Sequence, residues 1–434
     1  MFEERELEML WNSEELQDAY SEEEKKAILE GAPYTLGIVG QKSARRLMKM
    51  AAEDREYYLH NPPVVAGYEV THECNLKCLH CYNASGCAEQ FELNTEEAKI
   101  VIDQAHDLGC CSIIFGGGEA FMRKDFLDIV EYADRNDLDM AISTNCTLID
   151  RKTAKHLSDF HIYNIETGID GTEEVHDRIR GAKGAWKRTY NAIYHLLDAG
   201  IPVVALYTVM RSNVHHIEEY IDFMKDEFGD VVHLIFMRTT YAGRAISTGE
   251  FLSPIEWLHA CHRITRKLKI ENWSGIPYYY ILDSSRQSRV IKEFMRTPVG
   301  QQIYPAEMLE DVLEKGIPVE EAAYKLLGGV CKAGLWQISV NPQGDIVPCA
   351  RMGGVSLGNI RETTLEEVWW NSEMIQKLKN RHRQIKGKCK TCKWMEWCGG
   401  GGRTDALKFF GDILAEDPGC IPPEHQKDIS CTFS

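Results

Sequence analysis

The sequence has no apolar run long enough to span a membrane. Its N-terminus, Met1-Phe2-Glu3-Glu4-Arg5-Glu6, is charged where a signal peptide would carry an apolar core. It is short of positive charge, with 49 Lys and Arg against 66 Asp and Glu and a formal net charge of -17 over 434 residues. The basic face that nucleic-acid binding requires is therefore not expected. Internal repeats and low-complexity tracts are also missing. What the chain does have is cysteine, 15 in all. In a chain with no secretory signal these do not read as disulfides. They read as metal ligands plus some buried thiols in a reducing cytoplasm. With 44% hydrophobic residues the chain can bury a core, and its length suits two or three domains.

Three cysteines stand at C-x3-C-x2-C spacing in Cys74-Asn75-Leu76-Lys77-Cys78-Leu79-His80-Cys81, just after the β-favouring run Val64–Val70. Thiolates suit zinc and iron–sulfur clusters. Structural zinc takes four protein ligands, whereas three thiolates on one loop can hold a cubane and leave its fourth iron open. Both remain open on the spacing alone. The next apolar run ends in Gly116-Gly117-Gly118-Glu119.

This pairing resembles the radical S-adenosylmethionine (radical SAM) superfamily, with His80 where that family usually has an aromatic residue. The resemblance implies a partial (β/α)6 barrel and a SAM-binding [4Fe–4S] cluster on Cys74, Cys78 and Cys81. It also implies that Gly117, Gly118 and Glu119 hold the methionyl amino group. Ser143 and Asn145, ending the third strand, would supply polar contacts to SAM. Glu166-Thr167-Gly168-Ile169-Asp170-Gly171 resembles the family's S-x-D-G turn, with Gly168 in place of the ribose-contacting serine and Glu166 and Asp170 as substitutes. His176-Asp177-Arg178-Ile179-Arg180-Gly181 resembles its H-D-x-x-R-G stretch, so Arg180 would pair with the SAM carboxylate. Ala120 stands where a proline often follows the glycine motif.

Alternating strand and helix patterns support that fold. Strands are expected at 64–71, 111–115, 139–144, 162–169, 203–209 and 231–237. Helices are expected at 95–108, 124–135, 152–159, 185–199 and 215–227. The chemistry should lie at the C-terminal ends of the strands.

Cys389-x2-Cys392-x5-Cys398 with Cys420 forms a second set, which satisfies a closed [4Fe–4S] site or a zinc site. Here the chain resembles the SPASM class of radical SAM enzymes, including its haem-biosynthesis and mycofactocin-type members. Cys331 and Cys349 resemble the ligands of the SPASM hairpin. Gly402 stands where a further cysteine is usual, so a first auxiliary cluster there would be missing, open at one iron, or completed by another residue. Ala350 replaces the aspartate of sulfatase-maturing members. Of the remaining cysteines, Cys87, Cys110, Cys111, Cys146, Cys261 and Cys431, most are expected to be buried thiols, and Cys146 and Cys261 could face the site.

The expected architecture is α/β. Residues 1–63 form an N-terminal helical segment, which shows no strand pattern and hence no winged-helix leader-binding module. Residues 64–240 form the barrel, 241–330 a helical connection, and 331–434 a small SPASM-like iron–sulfur domain. The resemblance implies SAM cleavage to a 5′-deoxyadenosyl radical and hydrogen abstraction from a substrate C–H bond. The substrate would be a ribosomal peptide or, alternatively, a small molecule or tetrapyrrole side chain. A flavodoxin or ferredoxin would supply single electrons. An iron–sulfur electron carrier or redox sensor is the non-enzyme alternative; it explains the cysteines but not the GGGE turn or Arg180.

Overall fold

The computed structural model describes residues 57–229, 231–268, 280–282, 331–392, 395 and 399–421. Of the N-terminal helical segment expected at 1–63, residues 1–56 lie outside these; Tyr57–His60 is a helical turn and 61–63 are not helical.

Six strands run parallel in chain order: β1 (Val65–Glu69), β2 (Ser112–Gly116), β3 (Asp139–Thr144), β4 (Ile162–Gly168), β5 (Val203–Val209) and β6 (Val232–Arg238). Helices link them: α1 (Thr95–Asp107), α2 (Phe126–Arg135), α3 (Arg151–Leu157), α4 (Glu173–Arg180), α5 (Ala185–Asp198) and α6 (Ile217–Phe228). The helix starts are set locally. Asn94 accepts from the N–H groups of Glu96 and Glu97, and the Glu97 side chain accepts from Asn94 N–H. This capping box satisfies donors that an α-helix leaves unpaired at its start. Residues 173–180, met in the sequence only as part of a motif, form a helix that Gly181 ends at φ 67°.

Each strand buries both faces, as a helix-covered parallel sheet requires. The helix-side core includes Tyr68, Ile113, Phe115, Phe126, Ile142 and Ile165, all essentially buried. Phe115 meets Tyr68 and Phe126 edge to face, an arrangement aromatic quadrupoles favour.

Two additions to the six-stranded sheet were not expected. Strand β7 (Tyr280–Leu282) pairs antiparallel with β6. On the other edge β8 (Gln337–Val340) pairs parallel with β1, and β9 (Ile346–Val347) folds back on β8. The sheet therefore has nine strands in the order β7-β6-β5-β4-β3-β2-β1-β8-β9. At the β1–β8 junction a Cβ on Gly67 would sit 2.5 Å from Ser339 Oγ, so that hydroxyl would have to turn away. Helices α7 (Arg244–Thr248) and α8 (Pro254–Lys267) follow β6. After the hairpin come α9 (Leu365–Asn371), α10 (Glu373–Lys379), α11 (Arg381–Gln384) and α12 (Arg403–Phe410). Among the described residues no helix is long and apolar enough to cross a membrane.

Candidate active site

Chain direction brings the C-terminal ends of β1–β6 to one side of the sheet, and a cavity of about 390 Å³ opens there. The loop after β1 carries Cys74, Cys78 and Cys81, and all three line the cavity. They cluster with Leu76, Ala182 and Ala185. The loop is strapped onto the end of α4: Lys77 N–H donates to Arg180 O at 3.2 Å and Leu79 N–H to Ile179 O at 2.9 Å. Burial pushes the Cys74 thiol up to about 11. It also raises Cys78, against the pull of the Arg180 guanidinium. Holding thiolates there requires a bound cation, since metal ligation and deprotonation are coupled.

The glycine turn after β2 presses on this loop. Gly118 N–H donates to Thr71 O and Glu119 N–H to Glu73 O, both at 2.7 Å. A Cβ at Gly117, whose φ is 119°, would strike Thr71 O, and one at Gly118 would strike Glu73 O. Only glycine lets the two backbones approach this closely.

Glu119, expected in direct contact with SAM, is held here by groups of its own chain. Its side chain is fully buried and lies outside the cavity lining. Oε1 accepts from Thr144 Oγ1 at 2.6 Å and Phe121 N at 3.2 Å, and Oε2 accepts from Asn145 N at 2.7 Å. Glu119 thus fixes the end of β3, and Gly117, Gly118, Ser143, Thr144 and Asn145 present themselves to the cavity. Burial raises the Glu119 carboxyl above its usual range, opposed by these hydrogen bonds. Ser143 donates to Glu166 Oε2 at 2.7 Å, and Asn145 Nδ2 donates to Asn75 Oδ1 at 2.9 Å.

Asp170 is likewise held by its own chain. It is fully buried and absent from the cavity lining. Its Oδ2 pairs with Arg180 Nη2 at 2.6 Å, and its Oδ1 accepts from Thr208 N at 3.1 Å. Burial opposes the charge most strongly, but the Arg180 guanidinium, the neighbouring His80 and His176 and the Thr208 N–H together hold the carboxyl below the usual range. Arg180 itself reaches the cavity. A Cβ at Gly168 would overlap its guanidinium as it is placed here. His80 also lines the cavity, with no hydrogen-bond partner for Nδ1. Burial pushes it down to about 4, so it is neutral.

The hairpin closes the opposite wall. Cys331, Lys332, Cys349, Arg351 and Gly402–Thr404 face the same cavity, as does Glu69 at the end of β1. Burial pushes Lys332 down to about 8, with Glu166 opposing and Arg351 adding to the shift. Burial pushes Glu69 up to about 7, although Tyr82 Oη donates to it at 3.0 Å and Asn83 donates too. Glu69, Lys332 and Arg351 were missed in the sequence. For Glu69 the signal was its place one strand period beyond Gly67, at the last residue of β1. The other two became visible only once β8 was placed beside β1.

Further out, Cys389 is buried, Cys392 and Cys420 are partly exposed, and Cys398 lies outside the described residues. Cys146 and Cys261 are fully buried away from the cavity, Cys87 is exposed, and Cys431 lies outside the described residues.

Among the described residues no three His, Cys, Asp or Glu side chains close on a single ion. A cubane gives each thiolate its own iron. Three thiols, a glycine cradle and an open cavity beside them fit such a cluster with SAM on its free corner.

Comparison with known proteins agrees. The radical SAM superfamily model matches residues 68–224, and the SPASM iron–sulfur cluster-binding domain matches 331–393. The chain is 31% identical over 365 residues to the Fe-coproporphyrin III synthase of Methanosarcina barkeri, covering 82% of this chain and 87% of that one. It is 30% identical to an AdoMet-dependent heme synthase of the same organism, covering 83% and 97%. The fold is similar to that of SuiB from Streptococcus suis bound to S-adenosylmethionine, with a TM-score of 0.59 at 16% identity over 96% of this chain and 88% of that one. The chain therefore belongs to the radical SAM superfamily, in its SPASM-containing class, and is an enzyme that works with [4Fe–4S] clusters and S-adenosylmethionine.

Proposed function

We propose that Cys74, Cys78 and Cys81 hold the SAM-binding cluster and that Gly117, Gly118, Ser143, Asn145, Glu166, Gly168 and Arg180 form the SAM pocket. When bound, this pair supplies a 5′-deoxyadenosyl radical that takes a hydrogen atom from a substrate C–H bond. The protein orients and encloses. Glu119 and Asp170 act from behind, one fixing the end of β3 and the other aiming Arg180. Ile114, Leu206, Ile235 and Met237 give the cavity an apolar floor that excludes water. Cys389, Cys392, Cys398 and Cys420 would hold an auxiliary [4Fe–4S] cluster. Cys331 and Cys349 would hold a second, incompletely ligated one. A flavodoxin or ferredoxin would supply the electrons.

The substrate reading rests on one observation. Lys332 and Arg351 both line the cavity and are near enough for Arg351 to lower the Lys332 ammonium, which also lies 4.9 Å from the Trp336 ring centroid, and a guanidinium near an ammonium recruits carboxylate. We infer that the substrate presents a carboxylate side chain. The first reading is a tetrapyrrole, which suits relatives named for Fe-coproporphyrin III and heme synthesis. The second is a ribosomal peptide, whose acidic side chain or C-terminus would meet the same cations.

The test is anaerobic turnover of the reduced protein with SAM and Fe-coproporphyrin III. Substrate consumption should match 5′-deoxyadenosine formed, and Lys332→Met with Arg351→Met should raise KM about tenfold or more. An inert Fe-coproporphyrin III would remove the tetrapyrrole reading. An unchanged KM in the double variant would remove the carboxylate reading.

A further inference from the structure

Arg238 ends β6 at the cavity wall, but its charge is engaged elsewhere. Nη2 lies 2.7 Å from Asp405 Oδ2 and 2.9 Å from Asp417 Oδ1, and none of the three side chains is more than 6% exposed. Two carboxylates thus share one guanidinium in a buried cluster. Such a cluster brings little net stability over apolar packing, so its value lies in what it holds in place.

Each carboxylate grips a different part. Asp405, on α12, accepts from Tyr241 N–H at 2.8 Å and so ties α12 to the chain just after β6. Asp417 accepts from Gly402 N–H at 2.8 Å and Gly419 N–H at 2.7 Å. Its own N–H donates to the Cys389 thiol. Gly419 precedes Cys420, and a Cβ there would run into the Arg238 guanidinium. A Cβ at Gly401 would run into the Asp417 carboxylate. The loop carrying Cys420, the backbone beside Cys389 and the cavity-lining Gly402 therefore all meet on one charge cluster rooted in the barrel.

We propose that Arg238 is a positioning residue for Cys389 and Cys420: it docks the Asp417–Cys420 loop on the barrel mouth and balances the two carboxylates beside these cysteines. This rests on the reading that Cys389, Cys392, Cys398 and Cys420 hold a cluster. Net charge and hydrogen bonds to sulfur set cluster potentials. Arg238→Met leaves two carboxylates with no cation and should move the potential down. Asp405→Asn leaves one cation with one carboxylate and should move it up.

The experiment is a redox titration of the anaerobically reconstituted full chain, followed by the EPR signal that Cys389→Ala removes. Amide exchange at Gly402 and Gly419, measured with and without iron, guards against a variant that merely misfolds. Expected are potential shifts of opposite sign in Arg238→Met and Asp405→Asn, and exchange faster by about tenfold or more in Arg238→Met. Unchanged potentials, or shifts of the same sign, with the parent cluster intact would overturn the positioning role. No iron lost in Cys389→Ala would instead overturn the cluster reading, and this inference with it.

Discussion

Arg180 Nη2 lies 2.6 Å from Asp170 Oδ2, with side-chain exposures of 9% and 0%. The arginine that faces the candidate cofactor pocket is thus already paired, from behind, with a carboxylate of its own chain. Removing one partner leaves the other charge buried without compensation, at a cost of about 3–5 kcal/mol. Asp170→Asn should lose stability on that scale in chemical denaturation and weaken SAM binding together. A loss under about 1 kcal/mol would show that Arg180 is held by other contacts.

Gly168 leaves the space that Arg180 fills. Gly168→Ser restores the residue its family favours and should nevertheless harm this protein. Pushing a buried guanidinium aside costs about 1–3 kcal/mol, and SAM affinity measured by calorimetry should fall about tenfold or more. Tighter SAM binding in the serine variant would mean that Arg180 does not occupy that space in solution.

Glu69 gives a pH signature with a definite sign. Its folded carboxyl is raised from 4.5 to about 7 by burial. A raised acid favours the folded state below its unfolded pKa, and that contribution is lost as pH rises through the folded one. Between pH 4.5 and 7 the parent should therefore lose about 3 kcal/mol of stability that Glu69→Gln retains. Denaturant unfolding of both apoproteins at pH 5 and pH 8 checks this. Parallel losses in parent and variant would assign the effect elsewhere.

The parts legible in the sequence were those encoded locally. Strands β1–β6 showed as apolar runs bounded by turns, and the Cys74–Cys81 loop and the glycine turn carried their spacing on their face. What depended on neighbours was hidden. Four residues, Gln337–Val340, pair with a strand some 270 positions earlier, with Ser339 opposite Gly67, and no local pattern announces that. Lys332 and Arg351 enter the cavity only through this pairing. Glu119 and Asp170 were found as residues but their partners within the chain, Thr144, Asn145 and Arg180, were not, since a motif gives identity while the fold decides which neighbours a carboxylate meets.

Cluster content tests the C-terminal half. Cys331, Cys349 and Gly402 all line the cavity. Iron analysis of the reconstituted chain should give about eight irons if only the first loop and the Cys389 set are loaded. About twelve means that other groups complete the Cys331–Cys349 site. About four, with none lost in Cys389→Ala, would remove the C-terminal cluster.

The most direct test of the whole account is reductive SAM cleavage by the variant in which Cys74, Cys78 and Cys81 are all alanine. The parent, reduced anaerobically, should form 5′-deoxyadenosine from SAM. The triple variant should form none while keeping the iron of its C-terminal domain. Undiminished 5′-deoxyadenosine from the triple variant would contradict the assignment of this loop as the catalytic centre.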